Sequence, residues 1–281
     1  MEIPLITGKV ITLKNVLFPY RGDELVTVLK HKKEAGWSVG YTLELHKDAN
    51  NRPYMIIKAA FTTPEEKAIT DSSRGVISVD LNLDNIAWAE LDEQGHRIHG
   101  DKIEFFLYGK SSHQATDILG RASSIIISMC VRSGKPLVME DLDLKKKRAS
   151  LAYGCKKANR GTSSFAYSKM SELLKRKAAR NGVGVILINP AYTSFIAKIK
   201  YLKKLRCTIH EAAAYVIGRR GMKLSEKIPH VYMVLFDDKR KYDVRYKKYN
   251  YLFKVTQSIR TKVFRNTLSF SSLKELKELA A

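Results

Sequence analysis

Apolar and β-branched positions come in short runs along the first quarter of the chain. GKVITLKNVLF, ELVTVLKH, GWSVGYTLEL and PYMIIKAAFTT are rich in Val, Ile, Thr and aromatic residues, with partial alternation, and the turn signals YRGDE and KDANNRP divide them. The pattern predicts a small β region over residues 1–70. TPEEKAITDSSRG reads as a polar linker, and beyond it the pattern changes. GVISVDLN, KPLVMEDLD and GVGVILINP are nearly continuous apolar runs, which predict strands buried on both faces. IAWAELDEQGHRI predicts another strand ending in a DEQG turn, and IEFFLYG a third of the same group. Ala115, Ile118, Leu119, Ala122, Ile125, Ile126 and Met129 recur at helical spacing, with Gly134 as a stop. SSFAYSKMSELLKRKAARNG predicts a helix stopped at Gly182, and TIHEAAAYVIGRRG another starting at Thr208. The first three strands of this region follow one another too closely for crossovers, so they form an antiparallel meander. Helices follow the later strands. The fold class is therefore α/β: a mixed sheet with helices on both faces, preceded by the small β region.

Composition narrows the partners. Among 281 residues, 44% are hydrophobic, enough for a globular core, and the formal net charge is +22. Such an imbalance points to a polyanion, nucleic acid before an anionic membrane surface. No apolar run has the 18 to 20 residues of a membrane span, and MEIPLITGKVITLK lacks the pattern of a signal peptide, so a cytoplasmic, nucleoid-associated protein is expected. The three cysteines, Cys130, Cys155 and Cys207, form no CxxC pair, which argues against a zinc ribbon or a disulfide framework.

Two carboxylates share one context. Asp80 ends VISVD and Glu140 ends LVME. A carboxylate at the end of a buried strand is partly desolvated, and two on neighbouring strands repel each other unless a cation lies between them. Hard divalent cations prefer oxygen ligands, and paired metals drive in-line attack on phosphodiesters. The plainer alternative is a pair of strand-end turn residues or caps. Asp84, Asp141 and Asp143 lie nearby; Asp141 ranks lower, because the alternation points it away from Glu140.

These residues resemble a known family. GVISVDLNLDNIAWAELD is similar to the first RuvC motif of TnpB, the OrfB-type insertion-sequence protein related to type V CRISPR effectors. PLVMEDLDLKKKR is similar to the second, and NPAYTSFIAKIKY followed by IHEAAAYVIGRRG to the third. The resemblance covers roughly residues 75–227 and implies an RNase H-like (RuvC) nuclease domain there. It implies metal-dependent endonuclease activity of two-metal type, with Mg²⁺ or Mn²⁺ as cofactor, a guide or other structured RNA as partner and DNA as target. It also implies a prokaryotic, phage or mobile-element origin. Carried over residue by residue, Asp80 and Glu140 are the first two metal ligands. His210 falls where the family usually has an aspartate, so it becomes the third ligand and catalytic residue. The zinc ribbon that many members carry is absent. The part before the first motif is short, which leaves room for a partner chain or second copy that supplies target recognition. Two rival readings stay open: an RNA-binding subunit or nuclease-inactive derivative, and a guide-independent nuclease or transposase.

Thr208 and Glu211 fit a capping box, which gives Glu211 a structural task and leaves His210 the stronger candidate of the two for the third ligand. The positive end of the helix favours a neutral imidazole there. Basic runs supply candidate nucleic-acid contacts: Lys145, Lys146, Lys147 and Arg148; Lys198, Lys200, Lys203 and Lys204; Arg219 and Arg220; and Lys247 and Lys248. The last pair lies in a basic, aromatic tail over residues 228–281, where Tyr242, Tyr246, Tyr249, Tyr251 and Phe253 suit base stacking.

Overall fold

Strand alternation decides which way each residue of the central sheet faces. In the computed structural model, β5 (Val76–Leu81), β6 (Asn85–Leu91), β7 (Arg97–Glu104), β8 (Leu137–Glu140) and β9 (Val185–Ile188) form one sheet in the order β7-β6-β5-β8-β9. The pairs β5–β6 and β6–β7 are antiparallel, whereas β5–β8 and β8–β9 are parallel. This is the mixed sheet that the sequence predicts, meander first and parallel strands after. The structure describes residues 2–4, 7–14, 16–35, 38–61, 68–141, 159–236 and 245–256.

Each sheet face has its own core. Ile77 and Val79 of β5, Ile86 and Trp88 of β6, and Leu137 and Met139 of β8 meet two helices, α2 (Ser112–Ser133) and α3 (Asn159–Arg180). The intervening positions, Val76, Ala89, Leu91 and Val138, meet the other layer. That layer holds α4 (Thr193–Ile196), a π-helical turn at Ala197–Tyr201, α5 (Leu202–Leu205), α6 (Ile209–Gly221) and α7 (Arg245–Val255). Ile77, Ile86, Leu119, Leu137, Met139 and Ile217 are fully buried. Each such side chain contributes roughly 1.5–3 kcal/mol relative to exposure. A Ser111–Gln114 capping box, which the sequence reading did not single out, opens α2, and Gly134 in the left-handed region closes it, as predicted.

The chain divides into two compact units, residues 1–65 and 66–281. The first holds β1 (Glu2–Pro4) with β2 (Val10–Thr12), the ribbon of β3 (Val39–Lys47) with β4 (Pro53–Phe61), and α1 (Gly22–Ala35). The helix corrects the reading of ELVTVLKH as a strand. Among its described residues, Leu25 and Val28 are buried, three apart and on one helical face, while Val26 and Leu29 are exposed. Asp23 and Glu24 stand in the first turn, where the helix dipole favours acids.

Two further expectations shift. IEFFLYG is not the third strand. The paired segment is Arg97–Glu104, a polar edge strand whose charged residues hid it, and Phe106 and Tyr108 are exposed beyond its end. Of the aromatic residues of 245–256, Tyr246 is 55% exposed, and the others are taken up by the fold. Tyr249 and Leu252 are buried in the core beside α6, Phe253 meets Phe195, and Tyr251 lies against Phe236. Tyr242 lies outside the described residues. No helix among the described residues is long and apolar enough to cross a membrane.

Candidate metal centre

Asp80 and Glu140 end adjacent parallel strands. Ile77 pairs with Leu137 and Ser78 with Val138, and the same register carried forward sets Asp80 level with Glu140. Level residues on neighbouring strands share a sheet face, with the strands about 4.8 Å apart. Even-numbered positions of β5 and β8 face α6, so both carboxylates face that helix.

Helix α6 runs across this face in step with β5. Ser78 donates its hydroxyl to the Ala214 carbonyl at 2.7 Å, and the Gly218 backbone lies against Ser78 and Leu91. Four helical residues advance about 6 Å and two strand residues about 6.6 Å, so the two tracks stay matched. One step beyond Ala214 and Ser78 come His210 and Asp80. His210 Nδ1 lies 3.0 Å from Asp80 Oδ2. The two polar residues that open this helix make different contacts. The Thr208 hydroxyl accepts from the Glu211 amide, and Glu211 reaches back to the Thr208 amide, completing the capping box. Glu211 also pairs with Arg97 at 3.1 Å. Its carboxylate is thus occupied by the helix start and the edge strand.

One electrostatic expectation is overturned. The hydrogen bond to Asp80 raises the His210 pKa above the ordinary histidine value; burial and the nearby Lys198 charge oppose it without prevailing. The shift runs opposite to the one the helix terminus alone would give, because a carboxylate lies 3.0 Å from the ring. Asn82 Nδ2 also donates to Asp80 Oδ2, at 3.2 Å. Glu140 is held differently: the buried Thr193 donates its hydroxyl to Glu140 Oε1 at 2.6 Å.

Among the described residues no group of three or more His, Cys, Asp or Glu side chains is close enough to hold a metal ion. The donors present still fit a hard divalent cation in kind: two carboxylates level on adjacent strands and one imidazole touching the first of them. Asp84 belongs to the same field, since its charge also raises the His210 pKa. Tyr167 of α3, which sequence reasoning missed, lies in the field of all three acids. Burial raises its pKa first, and the charges of Asp80, Asp84 and Glu140 raise it further. The exposed Asp141 gives its amide to the Ile188 carbonyl.

The basic candidates separate into two groups. Lys203, Lys204 and Lys247 are exposed, and Lys248 is half-buried. Lys200 and Arg219 are not free for phosphate. Both pair with Glu226, which is 5% exposed; Arg219 also donates to the Gly95 carbonyl at 2.9 Å and lies over the Tyr215 ring. Arg220 is turned inward too, bonded to the carbonyls of Asn189 and Ala191. A run such as KIKYLKK or GRRG does not show which of its cations meet a buried acid in the fold. Lys145, Lys146, Lys147, Arg148 and Asp143 lie outside the described residues.

The sequence matches no protein-family model, and no curated protein matches it. Partial likenesses to solved structures exist. One is the Thermus thermophilus RuvC in complex with a Holliday junction substrate, at 14% identity and TM-score 0.37, over 51% of this chain and 89% of that one. Another structure of the same RuvC gives 14% identity and TM-score 0.34, over 51% and 90%. A cryo-EM structure of a CRISPR-Cas12f ternary complex gives 12% identity and TM-score 0.33. That match covers 73% of this chain, which spans about 50% of the Cas12f chain.

Proposed function

We propose that the chain is a divalent-metal-dependent nuclease that cleaves DNA. The observation that carries the reading is the placement of Asp80 and Glu140 level at the ends of adjacent parallel strands, on the face where His210 meets Asp80. Asp80 and Glu140 would hold Mg²⁺ or Mn²⁺, with His210 as third donor or as proton carrier beside them. The chemistry that a bound cation supplies is polarisation of a phosphodiester and activation of water. The chain's own part is to hold two carboxylates at one level and to keep the His210 imidazole against Asp80. Exposed cations such as Lys203 and Lys204 bring phosphate to this face.

The finer reading is a TnpB-type, RNA-guided endonuclease. It is supported by the three ordered motif resemblances and by the net charge of +22, which suits a polyanionic partner. Asp80→Ala is expected to abolish Mg²⁺- or Mn²⁺-dependent cleavage of DNA while nucleic-acid affinity changes little. Undiminished cutting by that variant would sink the nuclease assignment. Sequencing the RNA that copurifies with the protein tests the guide: one defined RNA in stoichiometric amount supports it, and its consistent absence points to a guide-independent nuclease.

A further inference from the structure

We infer that Thr193 is a positioning residue for Glu140, aimed by a brace that Arg220 and the α7 residue Asn250 build around the loop 189–193. The inference rests on the reading of Glu140 as a metal ligand.

The loop leaves the end of β9 beside Glu140, which pairs with Ile188. Its carbonyls are held one by one. Arg220 gives its guanidinium to the Asn189 and Ala191 carbonyls, the latter at 2.9 Å. The Asn189 side chain accepts from the Ala191 amide at 2.8 Å. The Pro190 carbonyl receives the Thr193 amide at 3.4 Å and also lies 3.0 Å from the Thr193 hydroxyl, whose one proton has the closer acceptor in Glu140 Oε1 at 2.6 Å. A neutral hydroxyl bonded to a carboxylate at 2.6 Å is a strong, directional contact. It restricts the rotamer of a side chain that has three torsions.

Tyr192 supplies the turn that aims Thr193. Its φ is 64°, the left-handed region that a tyrosine enters only when its surroundings compensate. The compensation comes from α7: the Tyr192 hydroxyl donates to Asn250 Oδ1 at 3.1 Å, and its ring packs against Tyr246 and Phe253. The aromatic residues of α7 are thereby connected to Glu140 through two loop residues, Tyr192 and Thr193. Arg220 completes the link from the other side. Burial lowers its pKa below the ordinary arginine value, and the Glu140 charge works in the opposite direction, as expected for a cation kept near that carboxylate.

A partner that orients a ligand carboxylate commonly changes metal affinity by ten- to a hundredfold. The test is Mn²⁺ binding by the full-length protein, read by electron paramagnetic resonance as free Mn²⁺ without any cleavage step. Thr193→Val removes the hydroxyl and keeps the shape. It is expected to weaken Mn²⁺ binding by about tenfold or more, with the melting temperature little changed. Thr193→Ser is expected to restore binding, and Asn250→Ala to weaken it in the same direction. In DNA cleavage Thr193→Val should lower kcat and leave KM unchanged. Wild-type Mn²⁺ affinity in Thr193→Val beside a clear loss in Glu140→Gln would overturn the inference and leave the nuclease reading standing. Wild-type affinity in Glu140→Gln would overturn both. A fall in melting temperature that Thr193→Ser does not recover would mark a packing role and reject the positioning one.

Discussion

Glu226 shows how one buried acid reassigns the cations around it. It is 5% exposed and accepts from Lys200, from the Tyr201 hydroxyl at 2.5 Å and from Arg219. Burial alone would raise its pKa, but the three donors prevail and hold it below the usual glutamate value of 4.5. The sign follows from that direction. A carboxylate depressed on folding contributes stability that is complete above its unfolded value and is lost as pH falls through its folded one. The wild-type melting temperature should therefore drop below about pH 4.5 in part through this group. Glu226→Gln strands two buried or half-buried cations and should cost about 3 kcal/mol at neutral pH. The gap between the two proteins should close as both are taken into acid. Thermal melts across pH 3–7 check this, and a gap that stays constant would show that Glu226 is not the titrating group. Nothing in the sequence identified Glu226, because its partners lie in two separate segments.

Helix α6 against β5 is where sequence and structure agree most closely, and the reason is local. The Thr208–Glu211 capping box, the apolar runs ending in Asp80 and Glu140, and the Gly134 stop each depend on residues within a few positions of one another, so they are legible from the chain alone. Which helix lies over which carboxylate is not. The contact from His210 to Asp80 spans 130 residues, and that from Thr193 to Glu140 spans 53. ELVTVLKH failed for a related reason: its β-branched residues satisfy a strand template, and only the burial of Leu25 and Val28 on one face reveals the helix. The close approach of α6 is a property of its glycines. A Cβ on Gly218 would lie 2.6 Å from Ser78 Oγ and 2.8 Å from a Leu91 methyl, and one on Gly221 2.5 Å from a Val138 methyl. In an exposed helix, alanine would stabilise relative to glycine by up to about 1 kcal/mol. Here the overlap falls on a serine already committed to the Ala214 and Ala89 carbonyls. Gly218→Ala is expected to destabilise by about 1–3 kcal/mol, as overpacking does, and to lift His210 from Asp80. Denaturant unfolding measures the first effect; an unchanged or higher midpoint would show that the helix can shift freely.

Over the whole molecule, a charge of +22 does not act as one surface. Lys200, Arg219 and Arg220 are absorbed by internal acids and carbonyls, so they hold the site together and add little to phosphate attraction. Lys203 and Lys204 on α5 are exposed and stand just before the helix that carries His210. This division has a measurable consequence, because a cation that neutralises a phosphate releases a counterion and one paired within the fold does not. Each phosphate contact to duplex DNA contributes about 0.9 to the slope of log affinity against log salt. The double variant Lys203→Gln, Lys204→Gln should reduce that slope by about 1.8 if both touch phosphate, with little change in melting temperature. Arg219→Gln should do the reverse, lowering the melting temperature through the stranded Glu226 while the slope stays as in the wild type. Affinity measured between 50 and 200 mM salt, a span over which about six to ten contacts change affinity a thousandfold or more, separates the two variants. A reduced slope in Arg219→Gln with unchanged stability would return that residue to the nucleic-acid surface and remove it from the Glu226 cluster.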